Sequence, residues 1–155
     1  MAARHLIFLG AALLLATPAA GQMVSARDPK AIAALLQDKG YKAELVEEKD
    51  GPMIHTGASG VKFTIFFMNC AEAKDCRTVQ FYAGFTDMGD VSLARVNEWN
   101  KQHRFGRGYI DDEKDPVIEM DVDLDHKGIP AENFLEYLDV FSSLAPKYRE
   151  FVQQK

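Results

Sequence analysis

Residues 61 to 85 leave this chain the least freedom. In VKFTIFFMNC, Val61, Phe63, Ile65 and Phe67 alternate with Lys62 and Thr64; in RTVQFYAGF, Val79, Phe81, Ala83 and Phe85 alternate with Thr78, Gln80 and Tyr82. A period of two over both stretches makes each a strand with one face turned to a core. The short loop between them makes the pair an antiparallel hairpin. Cys70 and Cys76, the only cysteines, stand at the two ends of that loop, where facing positions come within disulfide reach. The pair is a redox switch, half of a metal site or a staple, and the start of the chain decides among them.

The chain opens MAARHLIFLGAALLLATPAAGQ, with Arg4 and His5 as a basic start, Leu6 to Ala16 as an apolar run and Thr17-Pro18-Ala19-Ala20-Gly21 as small residues for a peptidase. That is the pattern of a secretory signal peptide. Residues 1–21 are therefore expected to be removed and residues 22–155 to form one domain, located in the periplasm or secreted. The apolar run falls short of the roughly 20 residues that cross a bilayer, and no later stretch does better, so no membrane span is expected. The absence of a cysteine near the cleavage region excludes lipid attachment of the bacterial lipoprotein kind. In an oxidising compartment the close cysteine pair is a disulfide staple. Cross-linking so short a loop contributes about 2 kcal/mol.

The formal net charge is −5 for the whole chain, and one unit more acidic once Arg4 leaves with the leader. That balance works against nucleic acid or anionic lipid as a partner. Asp28-Pro29 starts a helix carrying Ile32, Leu35 and Leu36 on one face and ending at Gly40. YKAELVEEKDGP reads as a strand and a turn, followed by a short strand around residues 53–56. Asp90 or Ser92 caps a second helix, SLARVNEWNKQHRF, which Gly106 ends. GYI and VIEMDVDLD are strands, the latter turning Ile118, Met120, Val122 and Leu124 to the core. In the last helix Phe134, Leu138, Phe141, Leu144, Tyr148 and Phe151 recur at helical steps, and Pro146 is expected to kink or split it. The order helix, four strands, helix, two strands, helix predicts an α+β fold, an antiparallel sheet with helices packed on one side.

The densest polar and aromatic stretch, NEWNKQHRFGRGYIDD, supplies the candidate binding surface: Trp99, Arg104, Phe105, Arg107 and Tyr109. A half-buried helix with Trp99 in the core, and with His103 and Arg104 facing the negative end of the helix dipole, explains the same residues structurally. A catalytic reading takes His103 as general base with Asp111 or Asp112, but no nucleophile stands at a recognisable spacing. Glu119, Asp121, Asp123 and Asp125 alternate along one strand about 7 Å apart, too spread for one metal ion. His55 and His126 lack a zinc pattern, and no nucleotide-binding glycine motif or serine elbow is present, so no metal and no cofactor is expected. The aromatic row of the last helix is core, or the seam of a homodimer.

Several phrases together, DPKAIAALLQDKGYKAEL, DGPMIHTGASGVKFTIFFMNC, CRTVQFYAGF, VNEWNKQHRFGRGYID and DPVIEMDVDL, resemble the YbjN family of bacterial proteins, described as sensory transduction regulators, and in particular its exported members with paired cysteines. The resemblance runs from Asp28 to the last helix and is most specific at NEWN and RFGRGY. It implies the fold of type III secretion chaperones, an α+β sandwich that elsewhere binds extended protein segments, and it brings no catalytic residues. The expectation is an exported non-enzymatic binding or regulatory module engaging a protein or peptide. A small envelope hydrolase built on His103, and a structural dimerising envelope protein, are the alternatives.

Overall fold

A computed structural model describes residues 21–154; the expected leader lies outside the described residues except for Gly21. In chain order the elements are β1 (Met23–Val24), α1 (Pro29–Asp38), β2 (Glu44–Glu48), β3 (Gly51–Ala58), β4 (Val61–Met68), β5 (Thr78–Gly84), α2 (Leu93–Gln102), β6 (Arg107–Ile110), β7 (Pro116–Asp123), β8 (Ile129–Pro130) and α3 (Ala131–Gln153). Six strands form one antiparallel sheet in the order β2-β3-β4-β5-β7-β6. The fold is α+β, with three helices among the described residues.

The hairpin is the centre of that sheet. Ile65 pairs with Phe81 and Phe67 with Val79, so both apolar rows face the same way. Phe81 pairs on its other side with Met120 of β7. Helix α3 lays Phe134 and Phe141 over this row, with ring centroids 5.9 and 5.5 Å from Phe81, and Phe63 meets Phe141 edge-on at 5.2 Å. Each buried ring contributes about 1.5–3 kcal/mol through lost apolar surface, and each aromatic pair about 1 kcal/mol more. Helix α1 adds Ile32, Leu35 and Leu36 to the same cluster. Among the described residues, the aromatic row of α3 is thus consumed by the chain's own core.

Local signals set the helix starts. Asp28 accepts a hydrogen bond from Ala31 N at 3.0 Å, and Ser92 one from Arg95 N at 3.2 Å, each satisfying a free donor of a first turn. Helix α2 ends at Gln102, before Gly106, because His103 is already extended. Strand β3 runs longer than its apolar residues suggested, pairing from Gly51 to Ala58 between two neighbours. Helix α3 continues unbroken through Pro146. The proline removes one N–H, which leaves the Ser142 carbonyl without its helical donor, and burial on both sides of the site, Phe141 before it and Tyr148 after, outweighs that loss. Two very short strands were not expected: β1 pairs with β8, and the Gln22 carbonyl accepts a hydrogen bond from Ala131 N at 2.7 Å. This contact satisfies a first-turn donor of α3, which has no side-chain cap.

Candidate functional site: the open face of the sheet

Alternation along the strands gives the sheet two unlike faces. One is the core; the other carries side chains of β2 to β7 that no helix among the described residues covers. Register aligns a row across all six strands: Glu44, His55, Thr64, Tyr82, Glu119 and Arg107. A second row runs Val46, Met53, Phe66, Gln80, Asp121. Lateral contacts tie these rows together. His55 Nδ1 and Thr64 Oγ1 are hydrogen-bonded at 3.1 Å, Phe66 meets Tyr82 edge-on at 5.6 Å, and Gln80 donates to Asp121 at 3.1 Å.

Glu119 is the buried carboxylate among the described residues of this face. It is 3% exposed, although its neighbours along the strand, Asp121 and Asp123, are open to water. A carboxylate so placed needs a partner, and the Arg107 guanidinium supplies it across the β6–β7 pair while remaining largely exposed itself. The hydrogen bond to Glu119, reinforced by its charge, pushes Arg107 further toward the protonated form. Tyr109, two residues along β6, is driven by burial and by the Glu119 carboxylate to a pKa of about 12. Burial also raises Tyr82, helped by the carboxylates of Asp111 and Glu119.

Beside the polar row lies a groove of about 630 Å³. Its floor is bare backbone at Gly57 and Gly84; a side chain at Gly84 would touch the Tyr82 ring, with the Tyr82 oxygen 3.2 Å from the added carbon. Lys42 and Lys62 stand toward the β2–β4 side, and Asp111, Glu113 and Asp115 on the turn between β6 and β7. The Asp111 carboxylate accepts from Glu113 N at 3.0 Å and Asp115 N at 2.8 Å, which shapes that turn.

The stretch singled out in the sequence splits in the structure. Trp99 is 1% exposed and belongs to the core, so it leaves the candidate binding surface. His103 stacks on it, with centroids 3.6 Å apart and planes at 12°, and both rings pack near Phe151 of α3. His103 is therefore on the helix side, whereas Asp111 lines the groove, which His103 and Asp112 do not. The catalytic pair of the hydrolase reading is not assembled. Arg104 is exposed, with its guanidinium carbon 5.1 Å from the centre of the Phe105 ring. Phe105 is 58% exposed and holds a left-handed backbone, φ 71°, a costly conformation for a bulky residue. Arg107 and Tyr109 sit on the open face. The acidic strand residues are engaged separately: Glu119 with Arg107, Asp121 with Gln80, Asp125 with Arg27 at 3.1 Å.

Cys70 and Cys76 are joined in a disulfide across the hairpin loop. Arg27 reaches into the same loop, pairing with Asp75 at 2.5 Å and donating to the His126 carbonyl at 3.1 Å. The cluster His55, Thr64, Tyr82 and Glu119 was missed from the sequence. Alternation marked Thr64 and Tyr82 as outward-facing, but the β5–β7 pairing that brings Glu119 beside Tyr82 spans a helix and another strand.

The family model of YbjN, "Putative bacterial sensory transduction regulator", matches residues 28–154. Among solved structures, the crystal structure of YbjN from E. coli, "a putative transcription regulator", is similar with a TM-score of 0.60 and 14% identity, covering 83% of this chain and 92% of that one. At that identity the likeness carries the fold. No curated protein matches the chain. Among the described residues no helix is long and apolar enough to cross a membrane. The family match runs from the cap of α1 through the sheet and the α2–β6 corner to the end of α3, and on that evidence the chain belongs to the YbjN family.

Proposed function

We propose that this protein is an exported, non-enzymatic regulatory module of the bacterial envelope that engages a protein or peptide partner on the open face of its sheet. One observation carries the reading: six strands are covered by helices on one face only, and the other face presents a tied polar and aromatic row beside a groove. Arg107 and Tyr109 belong to that surface, and Arg104 and the exposed Phe105 lead into its edge strand β6. The leader pattern and the disulfide support export, and the acidic charge favours a protein partner over nucleic acid. A homodimer through α3 would have to use the polar outer side of that helix, since Phe134, Leu138, Phe141 and Tyr148 are buried.

The test is photo-crosslinking in cells, with a photoreactive amino acid placed at His55 or Thr64 on the sheet face, or at Glu132 or Lys147 on the outer side of α3. The expected outcome is a discrete crosslinked partner from the sheet positions, in protein whose mass shows the leader removed. Crosslinks from the helix positions alone, or an uncleaved leader, would overturn the proposal.

A further inference from the structure

The open face of the sheet is not polar throughout. Val46, Met53 and Phe66 lie side by side on β2, β3 and β4, each half-buried, and Met68, two residues along β4 from Phe66, is 41% exposed. The edge-on contact of Phe66 with Tyr82 carries this patch on to β5. Alternation makes a solvated sheet face polar, and threonine meets the strand preference of such positions, as Thr64 and Thr78 do on the same face. Four adjacent apolar side chains there, two of them flexible methionines, make a surface suited to burial against another apolar face.

Carboxylates bracket the patch on both sides. Glu44 and Glu48 flank Val46 on the edge strand β2, and Asp121 and Asp123 stand on β7 beyond Gln80 and Thr78. Asp121 accepts from Gln80 and Asp123 from Asp125 N at 2.9 Å, but both donors are neutral, so the charges remain. Among the described residues none of the four takes part in an ion pair, and Lys49, which follows Glu48 in the chain, pairs with none of them. Lys62 lies four residues before Phe66 on β4, about 13 Å away on the groove side of the polar row. A second copy of this chain would bring carboxylates to both ends of the patch again, and anionic lipid or nucleic acid would add more negative charge. An extended peptide laid across the strands would leave backbone N–H and C=O groups against apolar side chains, whereas a helix satisfies its own. From β2 to β7 there are four strand spacings of about 4.8 Å, roughly 19 Å, which is about 13 residues of helix.

Resting on the reading that the open face is the partner surface, we infer that its occupant is an amphipathic helix of a partner protein, about 13 residues long, with Lys or Arg at both ends. Its apolar stripe covers Val46, Met53, Phe66 and Met68. Its basic ends meet Glu44 and Glu48 on one side and Asp121 and Asp123 on the other.

The probes are two acetylated, amidated peptides with the same leucine stripe: Lys-Lys-Ala-Leu-Ala-Ala-Leu-Leu-Ala-Ala-Leu-Ala-Lys-Lys, and its counterpart with Glu in place of every Lys. Each is titrated at low salt into isotope-labelled mature protein and followed by backbone amide shifts, with circular dichroism reporting peptide helicity. The basic peptide is expected to bind saturably, to gain helix on binding and to shift the amides of Val46, Met53, Phe66 and Met68. It should bind about tenfold more tightly than the acidic one, because exposed charge contacts replace repulsions, and added salt should narrow that difference. In the double variant Glu48→Lys, Asp121→Lys the acidic peptide is expected to gain about tenfold, an improvement that misfolding cannot produce. Equal binding of the two peptides, no saturable binding, binding without helix, or no gain in the double variant would overturn the helix assignment. The same amides shifting as the protein alone is concentrated would overturn it in favour of a second copy. If both peptides fail while crosslinks still come from His55 and Thr64, the partner surface stands and only the helix falls. Crosslinks confined to Glu132 and Lys147 would overturn both.

Discussion

The side-chain amide of Asn100 grips the backbone of Gly108 at both polar atoms: Oδ1 accepts from Gly108 N at 2.7 Å and Nδ2 donates to Gly108 O at 2.9 Å. This clamp joins the end of α2 to β6 and sets the corner from which Arg107 and Tyr109 project onto the open face. Gly108 must be glycine there, because an added Cβ would lie 2.8 Å from the Tyr148 ring. Asn100→Asp keeps the shape and removes the donor, so it is expected to cost about 1–3 kcal/mol in urea unfolding. Gly108→Ala is expected to cost a similar amount through overpacking. Trp99, the sole tryptophan and buried beside the clamp, reports both transitions by fluorescence. Wild-type stability in Asn100→Asp would mean that the clamp contributes nothing.

Alkaline titration is expected to be delayed and coupled to unfolding. Of five tyrosines, Tyr41, Tyr82, Tyr109 and Tyr148 all have pKa values raised above 10.0, chiefly by burial, with Tyr109 at about 12. A raised acid pKa means that the fold favours the neutral phenol. Below pH 10 both states are neutral and this preference is fully present; above it the unfolded chain ionises first, so stability falls as pH rises toward about 12. Phenolate absorbance and unfolding should rise together. Titration of these four near 10 in a folded protein would refute the burial assigned to them.

Removing the disulfide is expected to loosen one loop and lower global stability modestly. Asn69, Glu72, Ala73 and Asp75 all hold left-handed backbone, φ 49–59°, which these residues do not favour on their own. Paired Cys70→Ser and Cys76→Ser substitutions should cost about 2 kcal/mol and speed amide exchange from Asn69 to Arg77. The denatured oxidised protein should titrate no thiol. Two free thiols would remove the staple.

Phe105→Gly is expected to stabilise the protein by up to about 1 kcal/mol, because glycine adopts φ 71° without strain and little burial is lost at 58% exposure. The same variant should yield weaker partner crosslinking from the sheet face, since the aromatic ring at the edge is gone. A destabilised Phe105→Gly protein would place the ring's role in folding and not in contact.

How much was legible in the sequence follows the range of the interactions. Alternation in residues 61–68 and 78–84 determined the hairpin and which side faced the core, because side-chain direction in a strand depends only on parity. Asp28 marked one helix start and Asp90 or Ser92 the other, with Ser92 the cap in the structure, because a cap needs only the next three residues. The cysteine pair read as a staple because the leader pattern implies an oxidising compartment and the hairpin loop puts the two residues face to face. Pro146 does not split α3, because its local cost is outweighed by distant rings that hold both halves of the helix on the sheet. Trp99 was open to two readings in the sequence, core residue of a half-buried helix or part of a binding surface, and the packing of α3 against α2 decided that it is core. The row from Glu44 to Arg107 exists only through the pairing of β5 with β7, and nothing local in Tyr82 or Glu119 indicates the other. The sequence determined the elements and their faces; tertiary structure decided which residues meet across strands, since that depends on the strand order and on the core that holds it.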